Sequence, residues 1–236
     1  MFKAILEVVK FVEPDEIIHI GDLMDYPQPS RWTKGTREEF EGNIYSASEA
    51  AKKALLEPLR DVFDGPIGVH EGNHDMRPRL YLEKYAPALS QTDMLNFENL
   101  LDFDGFGITR LPDFYNVAAG WITTHGHLGG IRLNQNAGMT ALNGAKRIGK
   151  NIIMGHTHRA GVSSFTQGIE GQTNTITGVE VGHILNPKAV TYLRGASGNW
   201  QQGFALLEID KNNVTPRILP VLGNKVIVDG VVFPTR

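Results

Sequence analysis

Four times along this chain a short, mostly apolar run ends abruptly in a polar cluster that contains glycine. Residues 17–20 lead into Gly21-Asp22-Leu23-Met24-Asp25, and residues 67–70 into Glu71-Gly72-Asn73-His74-Asp75. Residues 121–124 lead into His125-Gly126-His127, and residues 151–154 into Gly155-His156-Thr157-His158. Branching at Cβ restricts χ1 against a helical turn, so runs such as Ile17-Ile18 and Ile152-Ile153 favour extended backbone. Bounded by turn residues and too short for a helix, each run reads as a buried strand. The polar clusters then lie at C-terminal strand ends, where open α/β sheets carry their sites.

Helical patterns fill the intervals. Phe2, Ile5, Leu6, Val9 and Val12 recur every three or four residues, which predicts an opening helix that Pro14 ends. Thr36 and Glu39 read as a capping box opening a long helix through Phe40, Ile44, Ala47, Ala51, Ala54, Leu55 and Leu59, with Pro58 bending or ending it. Helices are expected over 77–85 and 136–149, with mixed short helix and strand over 93–118. Beyond 160 the runs 174–181, 190–194, 203–209, 214–219 and 223–233, separated by Gly, Asn and Pro, read as antiparallel strands. No repeat, low-complexity tract or linker interrupts the chain, so residues 1–236 read as a single α/β domain.

Composition narrows the chemistry. With no cysteine, thiolate zinc sites, iron–sulfur clusters and cysteine nucleophiles are excluded, leaving His, Asp, Glu and Asn as metal ligands. Lys and Arg number 23 against 26 Asp and Glu, a net charge of −3 that argues against neutralising a long nucleic-acid backbone. No dedicated nucleic-acid module is visible, and the charge balance does not exclude a small phosphorylated substrate. No apolar run approaches the roughly 18–20 residues needed to span a bilayer, and charges break the first residues before they could form a signal-peptide core. A soluble, cytoplasmic protein is expected.

Five of the eight histidines, His74, His125, His127, His156 and His158, sit in these strand-end clusters beside Asp22, Asp25 and Asn73. An isolated Asp after a strand is usually a cap, and a lone His a hydrogen-bonded core residue. Nitrogen and oxygen donors recurring at four strand ends instead read as a site for hard or borderline divalent metals.

In content and order the blocks Gly-Asp-x-x-Asp (21–25), Gly-Asn-His-Asp (72–75), Thr-His-Gly-His (124–127) and Gly-His-Thr-His (155–158) resemble four of the five motif blocks of the calcineurin-like metallophosphoesterases. The resemblance implies a four-layer αββα sandwich, two mixed β-sheets flanked by helices, with two divalent metal ions at the strand ends. Manganese is the expected ion, with iron, zinc and nickel as alternatives. Asp22 would bridge both ions; Asn73, His125 and His156 would complete the shell of the second, and His158 would belong to the first. His74 and Asp25 would form an acid dyad beside the substrate phosphate. Two cations about 3.5–4 Å apart clamp a phosphate and lower the pKa of bound water from 15.7 toward ~7, giving hydroxide for in-line attack on phosphorus. Arg159 and His127 are the candidate substrate contacts, and Tyr26 and Trp32 a candidate wall for the leaving group.

The family's first block, Asp-x-His on an N-terminal strand, has no counterpart before Gly21. A start assigned too far downstream or a truncation ranks above a natural variant working with one ion, since a missing strand would leave a sheet short. The expected activity is hydrolysis of small phosphodiesters, 2′,3′-cyclic nucleotides among them. Phosphomonoesterase, nuclease and non-catalytic binding module are the alternatives.

Overall fold

A computed structural model of the chain describes residues 1–186 and 198–235. Helices and several β-sheets alternate in a mixed α/β architecture. The described residues fall into two compact units, Val9–Pro112 and Met1–Val8 with Asp113–Arg236. The division passes through helix α1 (Phe2–Val12), which has the extent its apolar spacing predicts. Among the described residues, no helix is long and apolar enough to cross a membrane.

The first unit is built on a three-stranded parallel sheet, β1 (Ile17–His19), β2 (Ile67–Val69) and β3 (Ile108–Arg110), in that spatial order. All three residues of the central β2 are buried. Ile67 and Val69 pack with Leu56, Phe97, Leu101, Phe103 and Ile108 in one core. Within it Phe97 and Phe103 meet edge to face at 5.0 Å, an arrangement contributing about 0.5–1.5 kcal/mol beyond area burial. Arg60 ties the loop ends together by donating to the carbonyls of Phe63, Gly65, Phe106 and Gly107.

The long helix expected after Thr36 is broken. One turn, α2 (Arg37–Phe40), is separated by Glu41-Gly42-Asn43 from α3 (Ile44–Ala51), followed by a wide π-helical turn over Lys52–Leu56 and by α4 (Glu57–Arg60). The capping box does not form: Thr36 makes no side-chain cap, and Glu39 accepts from the Gly35 amide instead. Asn43 caps α3, its Oδ1 accepting from Ser46 N at 2.8 Å. Gly42 has φ +75, so the chain leaves helical geometry there and restarts at a better cap. Pro58 does not end the helix; the wide turn directly before it accommodates a ring that cannot donate to the preceding turn. Helix α5 (Arg77–Tyr85) has the bounds its pattern predicts. Residues 93–118 hold the expected short elements: α6 (Phe97–Leu100), β3 and β4 (Tyr115–Ala118).

The second unit carries a five-stranded mixed sheet in the order β4, β5 (Trp121–Thr124), β6 (Asn151–Met154), β8 (Gln172–Val181), β7 (Ala160–Ile169). Strands β5, β6 and β8 are parallel, and the edges β4 and β7 antiparallel. Strand alternation sends Ile122, Ile152 and Met154 into a core with Ala141 and Ala145 of α7 (Met139–Ile148). Trp121, Ile153 and Val179 form another core, with Leu207, Val214 and Ile218 against it. At Gly178 a Cβ would lie 2.0 Å from Leu142 N, so β8 and α7 approach as closely as glycine alone permits.

Two hairpins complete the unit, β9 (Gly203–Asp210) with β10 (Asn213–Pro220) and β11 (Lys225–Val228) with β12 (Val231–Pro234). The run 223–233 is therefore two strands, parted by Asp229 and Gly230, both at positive φ, as a two-residue hairpin loop requires. Strand β7 has no counterpart in the sequence reading. It is a polar edge strand, and the hydroxyl pairs Ser164–Thr177 and Thr166–Thr175 support it where apolar alternation does not. The expected run 190–194 lies outside the described residues.

Candidate functional site

In the first unit the ends of β1 and β2 form one interlocked pair of loops. His19 Nδ1 accepts from Gly21 N at 3.2 Å, and Gly21 and Asp22 both take positive φ, +88° and +53°. Asp is among the few side-chain-bearing residues that tolerate this region. The turn directs the Asp22 carboxylate at the second loop, where Oδ1 accepts from His74 N at 2.9 Å. Gly72 makes the approach possible: a Cβ there would stand 2.1 Å from Asp22 Oδ1 and 2.2 Å from Asp22 N.

Asp75 binds the loops together and has no role in the sequence reading. It is fully buried; Oδ1 accepts from Met24 N at 2.8 Å, and Oδ2 from Gly72 N at 2.8 Å and Leu23 N at 3.4 Å. A carboxylate accepting several amides is a charge-assisted clasp, with hydrogen bonds about twice as strong as neutral ones. Its place at the end of Gly-Asn-His-Asp was visible, but its partners, 51 and 52 residues upstream, were not.

His74 and Asp25 meet as expected, with Nδ1 and Oδ1 2.6 Å apart. Arg77 joins them. Its guanidinium donates to Asp25 Oδ1 at 2.8 Å and Asp25 O at 2.6 Å, and lies 3.2 Å from His74 Nε2. Nδ1 thus faces a carboxylate that can only accept, and Nε2 a guanidinium that can only donate. The hydrogen bond from His74, with the charge of Arg77 beside it, holds the Asp25 carboxyl below the usual carboxylate range. His74 Nε2 is 4.0 Å from Asp22 Oδ2. Behind the loop Glu71, almost wholly buried, accepts from Arg110 at 2.6 Å and Arg79 at 3.3 Å; Arg79 is thereby committed to structure. Tyr26 corrects an expectation: it is buried, with its hydroxyl 2.7 Å from Ser48 Oγ, and forms no wall for a leaving group. Burial pushes its phenol up to about 12. Trp32 is largely exposed, with Arg31 stacked 4.5 Å above its ring.

In the second unit the parallel strands β5, β6 and β8 end on one edge of their sheet and deliver His125 and His127, His156 and His158, and His183. The His125 and His156 rings are 5.0 Å apart, and those of His125 and His127 5.2 Å. Two imidazoles on one ion with metal–nitrogen bonds near 2.1 Å place their ring centres roughly 4.6–5.6 Å apart for angles of about 90–120°. Both the His125–His156 and the His125–His127 pairs fall in that range. Positive φ at His156 (+64°) and His158 (+59°) turns the Gly-His-Thr-His loop, and Thr157 Oγ1 anchors it 2.6 Å from Glu180 Oε2. Glu180 is fully buried and also accepts from Thr140 N and Ala141 N at the start of α7. Gly126 admits Met154, whose Cε would be 2.2 Å from a Cβ there.

His158 packs against Trp200 (4.5 Å) and His183 (5.6 Å). Burial, with the charge of His158 beside it, lowers the His183 imidazole to about 4. Arg159 follows in the same loop, its carbonyl accepting from Gly182 N at 2.7 Å, and its buried Nε has no hydrogen-bond partner among the described residues. His183 is not among the candidate residues read from the sequence. The signal was there: Val181-Gly182-His183 repeats the strand-Gly-His pattern of Met154-Gly155-His156.

The chain is 54% identical over 232 residues to the Gene 54 protein of Mycobacterium phage D29. Identity to the Gene 54 protein of Mycobacterium phage L5 is 52% over 232 residues, and each alignment covers 98% of this chain and 91% of the relative. No family model matches the chain, and no solved structure matches it.

Proposed function

We propose that this chain, which belongs to the family of the mycobacteriophage Gene 54 proteins, is a divalent-metal-dependent phosphoester hydrolase acting on small phosphodiesters. The observation that carries the reading is the His74–Asp25 pair, 2.6 Å apart across the two interlocked loops, with the Asp22 carboxylate 4.0 Å from His74 Nε2. A proton-handling imidazole beside a carboxylate of the metal-ligating type is the apparatus such a reaction needs.

As the motif resemblance implies, Asp22, His125 and His156 would be the core of the proposed ligand set, Asn73 would complete it, and His158 would serve a further ion. The donors are nitrogen and oxygen, as manganese, iron, zinc and nickel accept. Their loops fit such a role: Gly72 leaves Asp22 the space a Cβ would fill, and the His125–His156 spacing suits two ligands of one ion. When bound, the ion supplies a water of lowered pKa and positive charge for the phosphate. The reading brings with it the four-layer αββα sandwich expected of these motifs.

The chain's own residues handle the leaving group. Asp25 holds His74 by Nδ1, keeping Nε2 directed away from that bond. After taking up a proton from solvent at Nε2, His74 donates it to the departing ester oxygen, a contribution of about 10²–10⁴ in rate. Arg77 occupies Nε2 in the resting arrangement and turns to the phosphate when substrate enters, a change its donor fork suits. Hydrolysis of bis-p-nitrophenyl phosphate and p-nitrophenyl phosphate, with and without Mn²⁺, tests the proposal. The diester is expected to be the better substrate, and His74→Ala to lose a hundredfold or more. No turnover with Mn²⁺, Fe²⁺, Zn²⁺ or Ni²⁺, or a His74→Ala protein as fast as the parent, would refute it.

A further inference from the structure

We infer that His183 is a metal ligand paired with His158, so that the second unit holds a borderline transition ion such as Zn²⁺ or Ni²⁺ between two imidazoles. From the functional reading this takes only the assignment of His158 as a ligand.

Three observations carry it. The rings of His158 and His183 are 5.6 Å apart, at the upper end of the roughly 4.6–5.6 Å spacing of two imidazoles sharing one ion. Their backbones are clasped by one residue: Gln201 N donates to His158 O at 3.0 Å, and Gln201 O accepts from His183 N at 3.2 Å. The clasp needs Gly182 at φ +84, where a Cβ would be 2.8 Å from Gln201 O. Finally, the buried His183 Nδ1 has no hydrogen-bond partner among the described residues. A buried ring nitrogen without a partner costs free energy that a bound cation recovers. Trp200 edges both rings, at 4.5 and 6.1 Å, and limits the positions they can take.

Imidazole donors favour Zn²⁺, Ni²⁺ and Cu²⁺ over Mg²⁺ and Ca²⁺, so the pair selects its ion by chemistry as well as spacing. Calorimetric titration of the full metal-free chain with Zn²⁺, repeated with Mg²⁺, tests it in the parent and in His183→Ala, His158→Ala and His125→Ala. His183→Ala and His158→Ala are expected to weaken the same Zn²⁺ event by about tenfold or more, given that even outer partners of metal ligands are worth 10–100-fold. His125→Ala should leave that event in place. Parental Zn²⁺ binding by His183→Ala would overturn the inference.

Side-chain nitrogen NMR of the unsubstituted protein removes any dependence on the variants folding. The ring nitrogens of His158 and His183 should respond together to Zn²⁺, and a response of His158 without His183, or of neither, would overturn the pairing. Hydrolysis need not agree with binding. Intact two-imidazole binding in a protein that hydrolyses no phosphoester would uphold this inference while sinking the functional reading. Parental binding by a hydrolytically competent His183→Ala protein would do the reverse.

Discussion

Gly72→Ala is the sharpest perturbation the structure offers. Gly72 does not have positive φ, so alanine meets no backbone strain there and the substitution adds only a methyl group. That methyl would stand 2.1 Å from Asp22 Oδ1, 2.2 Å from Asp22 N and 2.8 Å from Asp22 Cγ. Ordinary contact lies near 3.5 Å, so the loops after β1 and β2 must part by about 1 Å or more. Overpacking of this kind costs about 1–3 kcal/mol, which for a chain of this length lowers Tm by about 2–4 °C per kcal/mol. The displacement also carries Asp22 away from His74 N, and a misplacement of about 1 Å costs on the order of 10² in rate. Melting followed by circular dichroism and Mn²⁺-dependent hydrolysis of bis-p-nitrophenyl phosphate measure the two effects. Gly171→Ala is the converse control. There a Cβ meets nothing within 4 Å but φ is +78°, so about 1–2 kcal/mol of stability should go with no change in rate. A Gly72→Ala protein that melts and turns over like the parent would refute the interlocked loops.

Asp75→Ala should destabilise by about 2–4 kcal/mol in chemical denaturation, since a buried acceptor of three amides is lost and unsatisfied amides cost about 1–3 kcal/mol each before relaxation; a loss under 0.5 kcal/mol would contradict the clasp. Arg77→Ala leaves the His74–Asp25 bond in place and should lose less than about tenfold in kcat, against at least a hundredfold for His74→Ala; equal losses would mean that the three act as one unit. Tyr26 governs an alkaline limit. Its phenol is raised to about 12 in the folded state against about 10 unfolded. Its contribution is therefore complete below pH ~10 and lost as pH rises toward 12. Tyr26→Phe should flatten that loss in urea melts while costing about 0.5–1.5 kcal/mol at neutral pH for the Ser48 bond, and an unchanged alkaline slope would count against it. Glu180→Ala should loosen both the start of α7 and Thr157, seen as faster amide exchange at Thr140 and Ala141; protection equal to the parent would speak against the cap.

The strand runs were legible because their cause is local. Ile67–Val69 and Trp121–Thr124 carry their extended preference in their own side chains, and the 3.6-residue spacing of Phe2–Val12 needs no partner to be seen. The errors occurred where local signals compete or a partner decides. Thr36 and Glu39 match a capping pattern, yet Gly42 and Asn43 provide a better restart seven residues on. Strand β7 lacks apolar alternation and exists because β8 supplies a ten-residue partner. Tyr26 looked available for substrate, but Ser48, 22 residues away, takes its hydroxyl into the core.

From the order of residues alone came the strand ends, the donor types collected there, and the His74–Asp25 pairing that the motif resemblance implied. Tertiary structure alone decided what holds those groups still: Asp75 across two loops, Arg77 on His74 Nε2, Glu180 beneath Thr157, and His183 beside His158. The reason is physical. Backbone preference and side-chain chemistry are properties of a residue and its near neighbours, whereas hydrogen bonds between loops depend on distances that exist only once the sheets have formed.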